Sequence, residues 1–221
     1  MEIDLTDQTA LILAQDGPLV GPVEAALAHC GAIVTMHDPA QINPTAIVAD
    51  VLKSVGRLDV LVFLSPTLCE REGQPKAAQS AFATSVGALD SIIETASEGL
   101  AEASGRIIVL GSVLGLLPSR HNPLGGLVDA ALFTLVRETA MRLGSRAVRI
   151  NGIALGAIGG TGPTLLAGDE GFLSHAAVKR RGAVQDVANA VLFLADPANS
   201  YMTGHILTVD GGWTAGFARD F

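Results

Sequence analysis

Six short apolar runs, TALILA, AIVTM, LDVLVFL, RIIVLG, VRINGIAL and HILTVDGG, recur along the chain with helix-length segments between most of them. A run that is apolar at nearly every residue belongs to a strand covered on both faces. Strands separated by helical segments are joined by crossovers and therefore lie parallel. The expected fold is α/β, a parallel sheet with helices on both faces. At 221 residues the chain is long enough for one such domain, spanning 1–221, and no linker or internal repeat divides it. A seventh, short strand is expected in AIVAD, residues 46–50.

The helical segments carry their own signals. PVEAALAHCG has Pro22 where a helix can begin, because the missing N–H needs no partner there, and Gly31 where it can end. From Ala78 to Ala103, Phe82, Val86, Leu89, Ile93, Ala96 and Leu100 recur at steps of three and four, which predicts one long helix with a continuous apolar stripe. Over 127–143, Val128, Leu132, Leu135, Val136, Thr139 and Leu143 share one face. Ala131, Thr134, Ala140 and Met141 leave the opposite flank short of charge, so this helix is expected to have two partners, the sheet and a second subunit.

Charge excludes some functions. A formal net charge of −8 with no basic stripe is unsuited to nucleic acid, and the longest apolar run, IIVLGSVLGLLP, is too short to span a bilayer. The acidic start MEIDLTDQ and two cysteines without metal-binding spacing, Cys30 and Cys69, lead to the expectation of a cytoplasmic protein with free thiols. His29, His37, His175 and His205 have no ligand spacing, so no metal is expected.

RRGAVQDVANAVLFLADPANSYMTGHILTVDGGW, together with VGRLDVLV and VRINGIALG, resembles the short-chain dehydrogenase/reductase family, a Rossmann-type doubly wound fold, and the likeness covers nearly the whole chain. These matches specify scaffold: Asp186 as the anchor of a helix start, Gly211 and Gly212 as the turn after the last strand. The family's functional positions read differently. Its cofactor signature T-G-x-x-x-G-x-G brings backbone amides and a helix N-terminus to a diphosphate, and here the three glycine positions hold Ala14, Pro18 and Val20. Its N-N-A-G turn reads Phe63, Leu64, Ser65, Pro66. Asp38, where NAD-preferring members place a ribose-binding acid, and Asp50, where the family holds the adenine, are vestiges of the cofactor site, and the stretch between them is read as too short for a helical crossover. The PG turn beside the nicotinamide is Leu155-Gly156.

The resemblance implies hydride transfer with a tyrosine as acid or base, a lysine four residues on that lowers its pKa, and a serine thirteen residues before it. Ser112 keeps the serine's place, while the tyrosine and lysine places hold Gly125 and Asp129. Slippage does not restore the pair: Tyr201 is the only tyrosine, and no lysine lies between Lys76 and Lys179. Thr84 or Ser85 stands near the family's helix asparagine. Asp129 carries the sign opposite to a lysine.

The leading expectation is therefore a pseudoenzyme: a non-catalytic family subunit, itself without cofactor or metal, assembling with itself or with an active paralogue that holds NAD or NADP, through the helices at 78–103 and 127–143 and the C-terminal strand. Two other readings compete with it. One is a divergent oxidoreductase, or a family-derived lyase or dehalogenase, using Ser112 with His121 or Arg120. The other is a small-molecule sensor with an apolar pocket near Phe63, Leu64 and Val20.

Overall fold

The computed structural model describes residues 3–39, 43–68, 78–117, 123–159 and 169–216. The apolar runs form a parallel six-stranded sheet of β1 (Thr9–Leu13), β2 (Ile33–His37), β3 (Val60–Leu64), β4 (Arg106–Ser112), β5 (Arg149–Leu155) and β6 (Ile206–Val209), in the order β2-β1-β3-β4-β5-β6. Every residue of β1, β3, β4 and β5 is buried, as the continuous apolar runs require.

Helix α1 (Val20–His29) and α7 (Val184–Ala195) cover one face. Helices α2 (Pro44–Val55), α4 (Ala88–Ala103) and α5 (Pro123–Leu143) cover the other, with the short α3 (Ala78–Phe82) leading into α4. Strand residues alternate between the two cores: Leu61 and Phe63 join α2, α4 and α5, while Val60, Val62 and Leu64 join α1 and α7. A last short helix, α6 (Asp169–His175), lies beyond the carboxyl end of β5.

Three expectations are corrected. AIVAD is not a strand but the middle of α2. Asn43 caps that helix by accepting from the Thr45 N–H at 3.1 Å, Pro44 opens it, and Gly56 at φ 80° closes it, so cap signals outweighed a short β-branched run. Consequently α2 is the crossover that the 38–50 stretch was read as too short to hold, because the helix runs on past Asp50 to Val55. No strand among the described residues lies outside β2, whose Ile33 is 58% exposed at the sheet edge. Finally, the 78–103 helix is broken in phase by a π turn over Ala83–Gly87. That extra residue buries Ala81 and Ser85 and turns the predicted Phe82 outward. Downstream the stripe is as predicted, and Gly99 lets Leu52 of α2 lie where a Cβ would stand, 2.2 Å away.

Candidate functional site

In a doubly wound sheet the crevice outside the carboxyl ends of the strands, at the point where strand order reverses, is where ligands bind. Here the order reverses at β1 and β3, so the residues that matter lie at or just past the carboxyl ends of β1, β3, β4 and β5: Ala14, Ser65, Ser112 and Gly156.

Beyond β1 the chain closes on itself. Ala14, Leu19 and Val20 are 0%, 4% and 4% exposed and belong to the core cluster that contains Leu64 and Val23. Helix α1 begins at Val20, two residues before Pro22. Its first amides are largely committed: Val20 donates to the Gly17 carbonyl at 3.1 Å, Val23 donates to Leu19 at 3.2 Å, and Pro22 has no N–H. A diphosphate needs several free amides at such a terminus and a side-chain-free approach. The residues of this turn do not fit that group. Asp38 follows β2 directly and is partly buried, whereas Asp50 sits exposed on α2 within a helical turn, which places it on the helix surface rather than at a strand end.

Beyond β3 and β4 lies a buried polar cluster centred on Asp129. This carboxylate is 0% exposed. Its Oδ1 accepts from Ser65 Oγ at 2.8 Å and from Thr67 Oγ1 at 2.9 Å, and its Oδ2 lies 3.0 Å from Thr67 Oγ1 and accepts the Ser112 backbone N–H at 2.9 Å. Ser65 and Thr67 are themselves 2.8 Å apart. Each hydroxyl has a single hydrogen, so the carboxylate, with room for about four donors, is what satisfies this group. Ser65 and Thr67 are 0% and 2% exposed.

Glycine makes the arrangement possible. The turn Val113–Gly115 lies against α5 so closely that a Cβ on Gly115 would stand 2.7 Å from the Asp129 carbonyl carbon, and one on Gly126 would stand 2.9 Å from the Leu114 carbonyl oxygen. Gly125, at the tyrosine's place, is buried in the same first turns of α5. The Ser112 hydroxyl accepts from the Leu114 N–H at 3.2 Å, capping that turn, and the residue is 3% exposed. Arg120 and His121 lie outside the described residues.

Beyond β5 a third apolar cluster gathers Val113, Leu114, Phe133, Ala157 and Phe172, and Phe172 of α6 stacks on Trp213 with ring centroids 6.3 Å apart. A Cβ on Gly156 would meet the Asp210 Cα at 2.7 Å. Asp210 in turn accepts from the Gly212 and Thr214 amides at 2.9 and 2.7 Å, holding the C-terminal turn in place. Phe63 faces the α2, α4 and α5 core, while Leu64 and Val20 face the α1 and α7 core, so these three do not line one pocket. Among the described residues no group of three or more His, Cys, Asp or Glu is placed to hold a metal, and no helix is long and apolar enough to cross a membrane.

Of the positions Ser112, Gly125 and Asp129, the structure joins Ser112 to Asp129 by a hydrogen bond and holds Gly125 buried on α5, four residues before Asp129. Sequence reading missed Thr67 altogether and took Ser65 only as a departure from a motif. One signal was available: Asp129 stands alone in the apolar stretch GGLVDAALF, and a buried carboxylate requires donors, which the SPT after β3 supplies.

Residues 19–214 match the family model described as enoyl-(acyl carrier protein) reductase. The chain is 45% identical over 89 residues to 7alpha-hydroxysteroid dehydrogenase of Escherichia coli (strain K12), spanning 38% of this chain and 34% of that one. It is 30% identical over 203 residues to the peroxisomal 2,4-dienoyl-CoA reductase of Pongo abelii, spanning 80% and 65%. It thus spans about a third and just under two thirds of these two relatives. A short-chain dehydrogenase/reductase from Serratia marcescens BCRC 10948 superposes with a TM-score of 0.81 at 21% identity, covering 95% of this chain and 99% of that one. With the scaffold motifs in place around this sheet, the chain belongs to the short-chain dehydrogenase/reductase family, a family of oxidoreductases.

Proposed function

We propose that this chain is a non-catalytic member of its family that binds no nicotinamide nucleotide and serves as a structural or regulatory subunit, assembling with an active family member that carries NAD or NADP. The observation that supports this best is the position of Asp129. Where the family's lysine would help a tyrosine transfer a proton, this chain has a carboxylate that is fully buried and committed to Ser65, Thr67 and the Ser112 amide. A group with its lone pairs so occupied neither reaches a substrate nor lowers the pKa of a neighbouring acid. Val20 and Leu19, packed where a diphosphate would approach, support the same reading.

The assembly is drawn from what the fold leaves uncovered. On α5, Leu127 and Met141 are 61% and 87% exposed, beside α4, which Arg142 reaches through Glu94 at 2.5 Å. Strand β6 ends the sheet on the other side. These are the helices and the edge through which a second family chain, or a second copy, would associate.

A divergent oxidoreductase is the second reading, favoured by the match to a dehydrogenase and a reductase. The two are separated by purifying the chain alone and together with an intact relative from its own genome. The subunit reading expects no NAD or NADP binding by calorimetry, no turnover by the isolated chain, and copurification with the relative. Nucleotide binding with turnover by the isolated chain would falsify it.

A further inference from the structure

Strand β4 runs from Arg106 to Ser112, so Arg106 lies at the end of the sheet opposite the Asp129 cluster, roughly 20 Å away for six residues of strand. A cavity of about 700 Å³ opens there, and Arg57, Asp59, Arg106, Arg149, Ser200 and Tyr201 are among the residues that line it. Three arginines face one aspartate in a protein whose net charge is −8.

Arg57 is already neutralised, its Nε and Nη2 donating to the two oxygens of Asp59 at 3.0 and 2.5 Å. The other two arginines are not. Arg106 and Arg149 are directly opposite one another in the β4–β5 register and are 4% and 9% exposed. Like charges placed opposite on paired strands repel, and two desolvated guanidinium groups need a counter-charge. Asp59 and Asp196 lend opposite charge from a distance, but the atoms in direct contact are mostly carbonyl. Arg106 Nε donates to Ala195 O at 2.9 Å and one Nη donates to Gln8, while Arg149 Nη2 lies 3.4 Å from Asp196 O. No carboxylate oxygen lies within 4 Å of either among the salt bridges of the described residues. Arg149 Nη1 is buried without any hydrogen-bond partner. Burial first, and then the charge of Arg149, pulls the Arg106 guanidinium down to about 10, even with the opposing charges of Asp59 and Asp196.

We propose that this cavity is an anion site in which the Arg106 and Arg149 guanidinium groups take a phosphate group, either free or at the end of a small monoester. Guanidinium forks match tetrahedral oxyanions through paired N–H donors, and a dianion supplies the charge that the two strands lack. The cavity leaves room beyond the phosphate for a short organic tail, with the Arg57–Asp59 pair and Tyr201 at its wall. The site stands apart from the strand ends discussed above and does not depend on whether the chain is catalytic.

The test uses the full-length chain at constant ionic strength, titrated by calorimetry with inorganic phosphate and separately with glycerol 3-phosphate, with chloride as the blank. Saturable one-to-one binding and a rise in Tm with phosphate are expected; tighter binding of glycerol 3-phosphate assigns the site to monoesters, and equal or weaker binding assigns it to free phosphate. Arg149→Gln should weaken binding about ten- to a hundredfold, the range for a hydrogen bond to a charged group. Should Arg149→Gln fail to fold, Ser200→Glu at the exposed rim serves instead: its tethered carboxylate should raise Tm without phosphate and abolish the response to phosphate. Absence of binding by both anions overturns the proposal, as does phosphate binding that neither variant alters.

Discussion

Ser112, the last residue of β4, donates its backbone N–H to Asp129 Oδ2 at 2.9 Å, joining the carboxyl edge of the sheet to α5 across 17 positions of sequence. With Ser65 and Thr67 on the other lone pairs, the carboxylate ties together the ends of β3 and β4 and the first turns of α5. The cleft end of this fold is thus held by a polar staple.

Removing that staple should be costly. Asp129→Ala leaves two buried hydroxyls and a buried amide without their acceptor, for an expected loss of about 2–4 kcal/mol in urea unfolding. Asp129→Asn keeps one acceptor oxygen and should lose about half as much. A double-mutant cycle with Ser65→Ala should give a coupling energy of about 0.5–3 kcal/mol. Additive losses would mean that the two side chains do not share a bond.

Rebuilding the family's catalytic pair should fail for the same reason. In Gly125→Tyr/Asp129→Lys, a buried ammonium would face the Ser112 N–H, a donor, and two hydroxyls whose oxygens can accept but carry no counter-charge, in a space where Gly115 and Gly126 leave no slack. The double variant should lose about 3–5 kcal/mol, the cost of an unpaired buried charge, and show no oxidation of NADH or NADPH above the blank. Turnover by this variant would mean that the cleft is intact and only its chemistry is missing.

The strands and the order of the helices were legible because burial on both faces leaves uninterrupted apolar runs, and Pro22 with Gly31 marked the first helix to within two residues of its start. What was not legible depended on contacts distant in sequence. AIVAD is β-branched locally, but Asn43 and Gly56 outside it decide its state, and the α4 surface receives Ile47, Val48 and Val51. The phase of the 78–103 helix was lost because a π turn adds one residue without any mark in composition. Asp129 was found by counting from Ser112, yet its partners lie 62 and 64 positions away, beyond any local pattern.

Glycines restored at the β1–α1 turn should not restore a cofactor site. Val20 is 4% exposed in a packed cluster, so Val20→Gly removes an apolar side chain and adds chain entropy, for an expected loss of about 2–3 kcal/mol. Pro18→Gly is on the surface and should cost under about 1 kcal/mol. Calorimetry of the double variant with NAD and NADP should remain flat, since Leu19 still packs over the turn and Pro22 still lacks an N–H. Binding at micromolar concentration would show that two side chains alone had closed the site.

Asp186 offers a pH test of the scaffold. Its Oδ2 accepts from Arg180 Nη1 and from the Ala183 N–H, both at 2.8 Å, at the start of α7. The Arg180 hydrogen bond, then the Ala183 amide, lowers its pKa from 3.8. A carboxyl whose folded value is depressed adds stability that is fully present above 3.8 and is lost as pH falls through the lower folded value, because the unfolded chain takes up the proton first. The side chain is 36% exposed, so solvent and salt screen the ion pair, and the helix-capping bond to Ala183 carries most of the effect, about 0.5–1 kcal/mol. Asp186→Asn should therefore be less stable than the parent chain at pH 7, and the two urea midpoints should converge as pH is lowered from 5 toward 2.5, roughly the span over which a depressed carboxylate titrates. A gap that stays constant across that range would assign the loss to packing rather than to charge.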